Sequence, residues 1–146
     1  MADNYHDTVY RMYEASDLLF HNEQWFNANY LAGYVAECYC KLILQISRRE
    51  GYWFQGSKNS ERDFGHNVEG MYDEIALLAM NGYSISAYCI DLSIECSEIL
   101  NHWNPNRRYE GNACILNSKE LGESIHKEME KLIDYIIKME VDGVFI

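Results

Sequence analysis

The sequence predicts an all-α fold, a five-helix up-and-down bundle with a long central second helix and two long loops. Three observations carry that expectation. The stretch Gln24–Ile46 holds no Pro and a single Gly, and its apolar residues Ala28, Leu31, Ala32, Val35, Tyr39, Leu42, Ile43 and Ile46 recur at steps of three and four, which places them on one broad helical face. There is one Pro in 146 residues, and no run of alternating β-branched residues is bounded by hairpin turns. Four further segments repeat the three-four spacing between recognisable start and stop signals.

In chain order, the first helix is expected from about Asp7 to His21, with Val9, Met12, Tyr13, Ser16, Leu19 and Phe20 inward. The short polar break His21-Asn22-Glu23 folds the next helix back against it. The second helix runs from Gln24 to about Arg49 and spans roughly 35 Å at 1.5 Å per residue. Glu37 and Lys41, an acid-base pair at i,i+4, are the only charges between Gln24 and Ile46. Gly51 supplies a left-handed stop. Residues 52–65 have no clean periodicity and form the first long loop, a length that is uncommon in a compact domain without a function.

Asn67 caps a third helix carrying Val68, Met71, Tyr72, Ile75, Leu78 and Ala79, which stops at Asn81-Gly82. A fourth helix is expected from Ser84 or Ser86 through Tyr88, Cys89, Leu92, Cys96, Ile99, Leu100 and Trp103, ending ahead of Pro105. The second long loop covers 104–116. Asn117-Ser-Lys-Glu120 has the form of a capping box and opens the fifth helix, with Leu121, Ile125, Met129, Leu132, Ile133, Ile136 and Met139 inward. The apolar tail VDGVFI docks on the bundle or on a second copy. The long loops lie on alternate connections, which puts them at one end of the bundle.

Length fits one domain over 1–146, with its core at about 5–140. The start, MADNYHDTVYRMYE, lacks the basic-then-apolar signature of a secretion signal. No apolar run reaches the ~18 residues of a membrane span. A soluble, cytoplasmic protein is therefore expected, with no membrane partner. The five cysteines (Cys38, Cys40, Cys89, Cys96, Cys114) form no C-x-x-C pair and are expected as reduced thiols. A net charge of −11 argues against broad non-specific binding of nucleic acid and leaves room only for a local basic site.

Six of the twelve positive residues sit in or beside the long loops: Arg48, Arg49, Lys58, Arg62, Arg107 and Arg108. Tyr52, Trp53, Phe54, Phe64, Trp103 and Tyr109 accompany them. Forked guanidinium donors beside aromatic faces suit phosphates and bases, while Glu50, Glu61, Asp63 and Glu110 offer the same arginines plain surface ion pairs. His66, which follows Arg62 in R-D-F-G-H at the start of the third helix, is the candidate general base. No H-x-x-x-H or Cys/His cluster has ligand spacing, so neither a metal nor a cofactor is expected. No G-x-S-x-G or glycine-rich phosphate loop is present.

The run Tyr30-Leu-Ala-Gly-Tyr-Val-Ala-Glu37-Cys-Tyr-Cys-Lys41-Leu-Ile-Leu44 resembles the second-helix signature of HEPN domains (higher eukaryotes and prokaryotes nucleotide-binding domains). Ala15 to Leu19 is similar to the family's first-helix A-x-x-L-L. Gly65-His66-Asn67 opens the third helix, and Trp103 followed by Arg108-Tyr109 looks like the R-Y element before the last helix. The resemblance implies a bundle that dimerises. It also implies one of three roles: a toxin or accessory subunit beside a small nucleotidyltransferase, a defence ribonuclease, or a nucleotide-binding module. The ribonuclease members carry R-x(4–6)-H near the last helix, and neither Arg107 nor Arg108 is followed by a histidine at those spacings. Arg62 and His66 are one residue short of that pattern and lie elsewhere in the domain. The expectation is thus a non-catalytic module that binds a nucleotide, an RNA or a nucleotidyltransferase-type partner, in a toxin–antitoxin or defence setting. Arg107, Arg108, Tyr109, Trp103 and His66 would hold the ligand, and Glu37 with Lys41 would be a structural pair. The alternative is a degenerate ribonuclease using Arg62 and His66.

Overall fold

The computed structural model describes residues 3–56 and 58–145; Ser57 of the first expected loop and Ile146 of the apolar tail lie outside them. The described residues are helical and contain no strand. Helix α1 spans Tyr5–His21 and α2 spans Trp25–Arg49, joined by a tight turn in which Glu23 takes a positive φ of 62°. α3 spans Val68–Ala79, and two short α-helices follow, α4 (Leu92–Glu95) and α5 (Ser97–His102). The last helix, α6, spans Lys119–Val141. Single 3₁₀ turns occupy Glu61–Phe64, Ser84–Tyr88 and Pro105–Tyr109.

α2 is the helix around which the others pack, touching α1, α3, α5 and α6. Every residue from Val35 to Leu44 is buried, so the helix is covered on all sides over three turns, Glu37 and Lys41 included. Each fully buried Leu or Ile here, such as Ile43 and Leu44, contributes roughly 1.5–3 kcal/mol. The stripe expected on the last helix is buried in full, from Leu121 through Met139. Asn67 caps α3 by accepting from the Gly70 N–H at 2.9 Å. α6 begins one residue later than the expected capping box, with Ser118 accepting from Leu121 N–H. No single helix is long and apolar enough to cross a membrane. The five cysteines are free, and burial pushes the Cys38 and Cys96 thiols up to about 12.

The expected single fourth helix is not there. Residues 84–102 form a 3₁₀ turn, an extended break at 89–91, then α4 and α5. Local chemistry permits the break, since Ser84, Ser86, Asp91 and Ser93 compete with helical hydrogen bonds. Distant side chains hold it open. The Tyr39 hydroxyl of α2 donates to the Tyr88 carbonyl at 2.6 Å and accepts from the Ile90 N–H at 3.2 Å. The Glu128 carboxylate of α6 accepts from the N–H groups of Glu98 and Ile99 at 3.0 and 2.9 Å, capping α5 from outside. Glu74 does the same for the first loop, accepting from Tyr52 Oη at 2.6 Å and Gln55 N–H at 2.8 Å. Buried acids thus replace regular structure as the ties on irregular backbone.

His6 closes the two terminal helices. Its Nε2 lies 2.8 Å from Glu140 on α6, its Nδ1 lies 3.2 Å from Asp7, and its ring meets Phe145 at 4.7 Å. Burial opposes protonation, but the Glu140 and Asp7 carboxylates outweigh it, and the imidazole is held above its ordinary value. A raised folded value means that this contribution is fully present below about pH 6.5 and is lost as pH rises through the folded value. The melting-temperature gap between wild type and His6→Gln is therefore expected to be widest near pH ~5.5 and to shrink toward pH ~9. An equal gap at both ends would remove His6 from the account.

Candidate functional site

The start of α3 and the turn after α5 face each other across a cleft of about 430 Å³. Phe64, His66, Asn67 and Val68 line one side, and Trp103, Asn104, Pro105 and Asn106 line the other. The far end of the first long connection therefore meets the near end of the second.

His66 reaches the cleft by a glycine turn. Gly65 has φ 57° and ψ −126°, a combination that essentially only glycine adopts, and it reverses the chain between the 3₁₀ turn and α3. That turn is itself fixed by a capping box in which Asp63 accepts from the N–H groups of Asn59 and Ser60. Those donors hold the Asp63 carboxyl below its ordinary value. The His66 side chain is 57% exposed, yet its Nδ1 lies 2.6 Å from Oε1 of buried Glu37. An ionised carboxylate only accepts, so Nδ1 carries the donated proton and Nε2 is the atom left for a ligand. The second Glu37 oxygen faces Lys41 Nζ at 3.7 Å, with both side chains 9% exposed. Glu37 and Lys41, expected as a structural pair, thus also orient His66.

Two tyrosines of α2 stand behind His66 and Trp103. Tyr34 meets the His66 ring edge-on at 5.9 Å and the Trp103 ring at 5.1 Å. Its hydroxyl lies 3.0 Å from that of Tyr30, which also donates to the Pro105 carbonyl at 3.0 Å. Burial and then the Tyr30 bond raise the Tyr34 phenol well above its ordinary value, so it stays a neutral donor. Trp103 is clasped against α2, its Nε1–H donating to the Tyr30 carbonyl at 2.8 Å. This is possible because Gly33 has no Cβ: one built there would overlap the indole.

Arg108 is exposed. It donates to the Tyr109 hydroxyl at 2.6 Å, lies 4.7 Å from that ring's centroid, and sits close enough to Tyr30 and Tyr34 to influence them electrostatically. Tyr109 is 76% exposed, so the pair presents a cation and a ring face to solvent. Arg107 instead bonds Glu110 at 3.1 Å and the Cys114 sulfur at 3.7 Å. Arg62 turns away from His66 and forms two bonds of 2.8 Å to Asp3. Arg48 lies over Trp53 and Phe54 and bonds the Asn59 carbonyl, and Lys58 lies over Phe64.

Of the expected site residues, His66 and Trp103 line the cleft, Arg108-Tyr109 stand outside its lining with Arg108 in electrostatic reach of Tyr34, Glu37 and Lys41 sit behind His66, and Arg62 and Arg107 are engaged elsewhere. Sequence reasoning missed Tyr30, Gly33 and Tyr34. Their signal was present as Y-x-x-G-Y, three positions on one face of α2. Among the described residues no hydroxyl or thiol is hydrogen-bonded to His66. Away from the cleft, Asp17, His21 and His126 bring three metal-type ligand atoms within 4.8 Å of one another. Compared with protein-family models, with curated proteins and with solved structures, the chain matches none.

Proposed function

We propose that this chain is a HEPN-like, non-catalytic module that binds a phosphate-bearing ligand, a nucleotide or an RNA, at the cleft between α3 and the turn after α5. One observation carries the proposal: His66, Tyr34, Trp103 and the Arg108-Tyr109 pair converge on one end of the molecule from three separate segments, around a Glu37 that fixes the imidazole. Arg108 supplies forked donors for phosphate oxygens, and Tyr109 supplies a face for a base. The bonds of Arg62 to Asp3 support binding over the Arg62/His66 ribonuclease alternative. The resemblance adds a homodimer and a nucleotidyltransferase-type partner in a toxin–antitoxin or defence setting.

Titrating fluorescently labelled nucleotides and short RNAs against wild type and Arg108→Ala tests the ligand. One charge-assisted contact is worth about 1.5–3 kcal/mol, so Arg108→Ala is expected to bind roughly tenfold to a hundredfold more weakly, with a salt slope shallower by about one unit. Failure of both proteins to bind any of these probes would end the ligand proposal.

A further inference from the structure

We propose a second site, distant from the cleft, in which Asp17, His21 and His126 bind one zinc-class divalent ion and clamp the end of α1 to α6. Asp17 and His21 stand one turn apart on α1, and His126 faces them from α6. The Asp17 Oδ1 atom lies 3.3 Å from His21 Nε2 and 2.8 Å from His126 Nε2. Ligand atoms about 2.0–2.1 Å from a tetrahedral zinc ion are separated from one another by about 3.3 Å. Of the three edges, the one to His21 already has the required length, the one to His126 needs to open by about half an ångström, and the His21–His126 edge lies within 4.8 Å. Two imidazoles and a carboxylate suit zinc and its neighbours, not calcium or magnesium, which prefer all-oxygen shells.

The surroundings resemble the support of a metal ligand more than a surface ion pair. His126 places its other nitrogen, Nδ1, 3.2 Å from Glu130 Oε1, the carboxylate–histidine arrangement that fixes the tautomer and turns Nε2 toward a metal. The Tyr13 hydroxyl in turn reaches Glu130 at 3.4 Å. Phe20 stacks on the His126 ring at 4.1 Å with planes 11° apart, which restrains its rotation. The His126 side chain is 12% exposed.

There is also a charge reason. With Nδ1–H donating to Glu130, the Nε2 lone pair of His126 faces the Asp17 carboxylate, and two acceptors 2.8 Å apart need a shared proton or a cation between them. A divalent ion meets that need for all three atoms at once. His21 is 65% exposed, so the fourth coordination position opens to solvent and takes water. The absence of H-x-x-x-H had argued against any metal. Asp17-x-x-x-His21 has the same helical spacing, with a carboxylate in place of one imidazole, and its third ligand comes from α6.

Zinc chloride titrated into chelator-treated full-length protein, followed by calorimetry and thermal melting, is expected to show one ion per chain and a higher melting temperature. Cobalt(II) substitution is expected to give visible ligand-field bands without the intense charge-transfer band of thiolate, because none of the three ligands is a cysteine. His21→Ala, at an exposed helix end where folding is not at stake, is expected to abolish saturation at zinc concentrations that fill the wild type. Glu130→Gln leaves the three ligands and is expected to weaken binding by about 10-fold or more. The proposal is overturned by no stoichiometric zinc binding, by equal affinity in wild type and His21→Ala, or by a thiolate charge-transfer band.

Discussion

Replacing Glu37 with alanine is expected to cost about 3–5 kcal/mol of folding stability, because it leaves the Lys41 ammonium buried without its counter-charge. The Lys41 Nζ is 3.7 Å from Glu37 Oε2 and 5.8 Å from the centre of the Tyr5 ring, with the exposed Asp3 carboxylate in weaker electrostatic reach and every neighbour on α2 from Val35 to Leu44 buried. The same substitution releases His66, since Oε1 accepts from Nδ1 at 2.6 Å. The two consequences separate in a mutant series read by urea denaturation. His66→Asn removes only the outer contact and should cost about 1 kcal/mol. The double variant Glu37→Met with Lys41→Met replaces the pair by apolar side chains and should recover most of the loss, because a buried ion pair gains little over well-packed hydrophobic residues. A loss below ~1 kcal/mol in Glu37→Ala would mean that water reaches Lys41 and that the pair is not a buried one.

The parts of the fold that could be read from the sequence are those where one long period decides. α1, α2 and α6 each repeat their apolar spacing for four turns or more, and their ends fall within about two residues of expectation. The stretch from Ser84 to His102 has the same spacing and yet is broken. What breaks it is Tyr39, 49 residues from the Tyr88 carbonyl it bonds, and Glu128, 29 residues from Ile99. Periodicity measures which face is apolar; it does not register a distant hydroxyl or carboxylate that satisfies freed backbone groups. Short helices with Ser and Asp at their margins are where such ties outweigh local pattern.

The candidate site was legible residue by residue and illegible as an arrangement. His66, Trp103, Arg108 and Tyr109 stand out because loop cations and aromatics are conspicuous by type. Glu37 stands out because it is charged in an apolar run. That Glu37 and His66 are one unit depends on how α3 lies against α2, which no spacing encodes. Arg62 shows the converse error. Four residues before His66 it looks like a partner, but the 3₁₀ turn and Gly65 between them send the two side chains to different elements, one to Asp3 and the other to Glu37. His126 lies off the apolar stripe of α6 and is still covered, by the α1 side chains Asp17 and Phe20.

Gly33→Ala is expected to destabilise the protein by about 2–4 kcal/mol, although the same exchange in an exposed helix would stabilise it by up to ~1 kcal/mol. The sign is set by Trp103. A Cβ on Gly33 would occupy the space of the indole, and the backbone of α2 is held in place by the buried Ala32, Val35 and Ala36 on either side of it. The indole has to leave, giving up its bond to the Tyr30 carbonyl and its contact with Tyr34, and the cleft loses the part of its wall that Trp103 forms. The cause can be isolated by a cycle. In a Trp103→Ala background the obstruction is gone, and Gly33→Ala should then stabilise, by the amount helix propensity dictates. Urea denaturation of the four proteins reads the reversal directly, with Trp103 emission, measured against Trp25 and Trp53 retained in all of them, reporting the indole's move into water. The same sign in both backgrounds would place the cost elsewhere than at the Trp103 contact. If the reversal appears, the glycine of the Tyr30-to-Tyr34 turn is there so that a tryptophan 70 residues away can close one wall of the cleft.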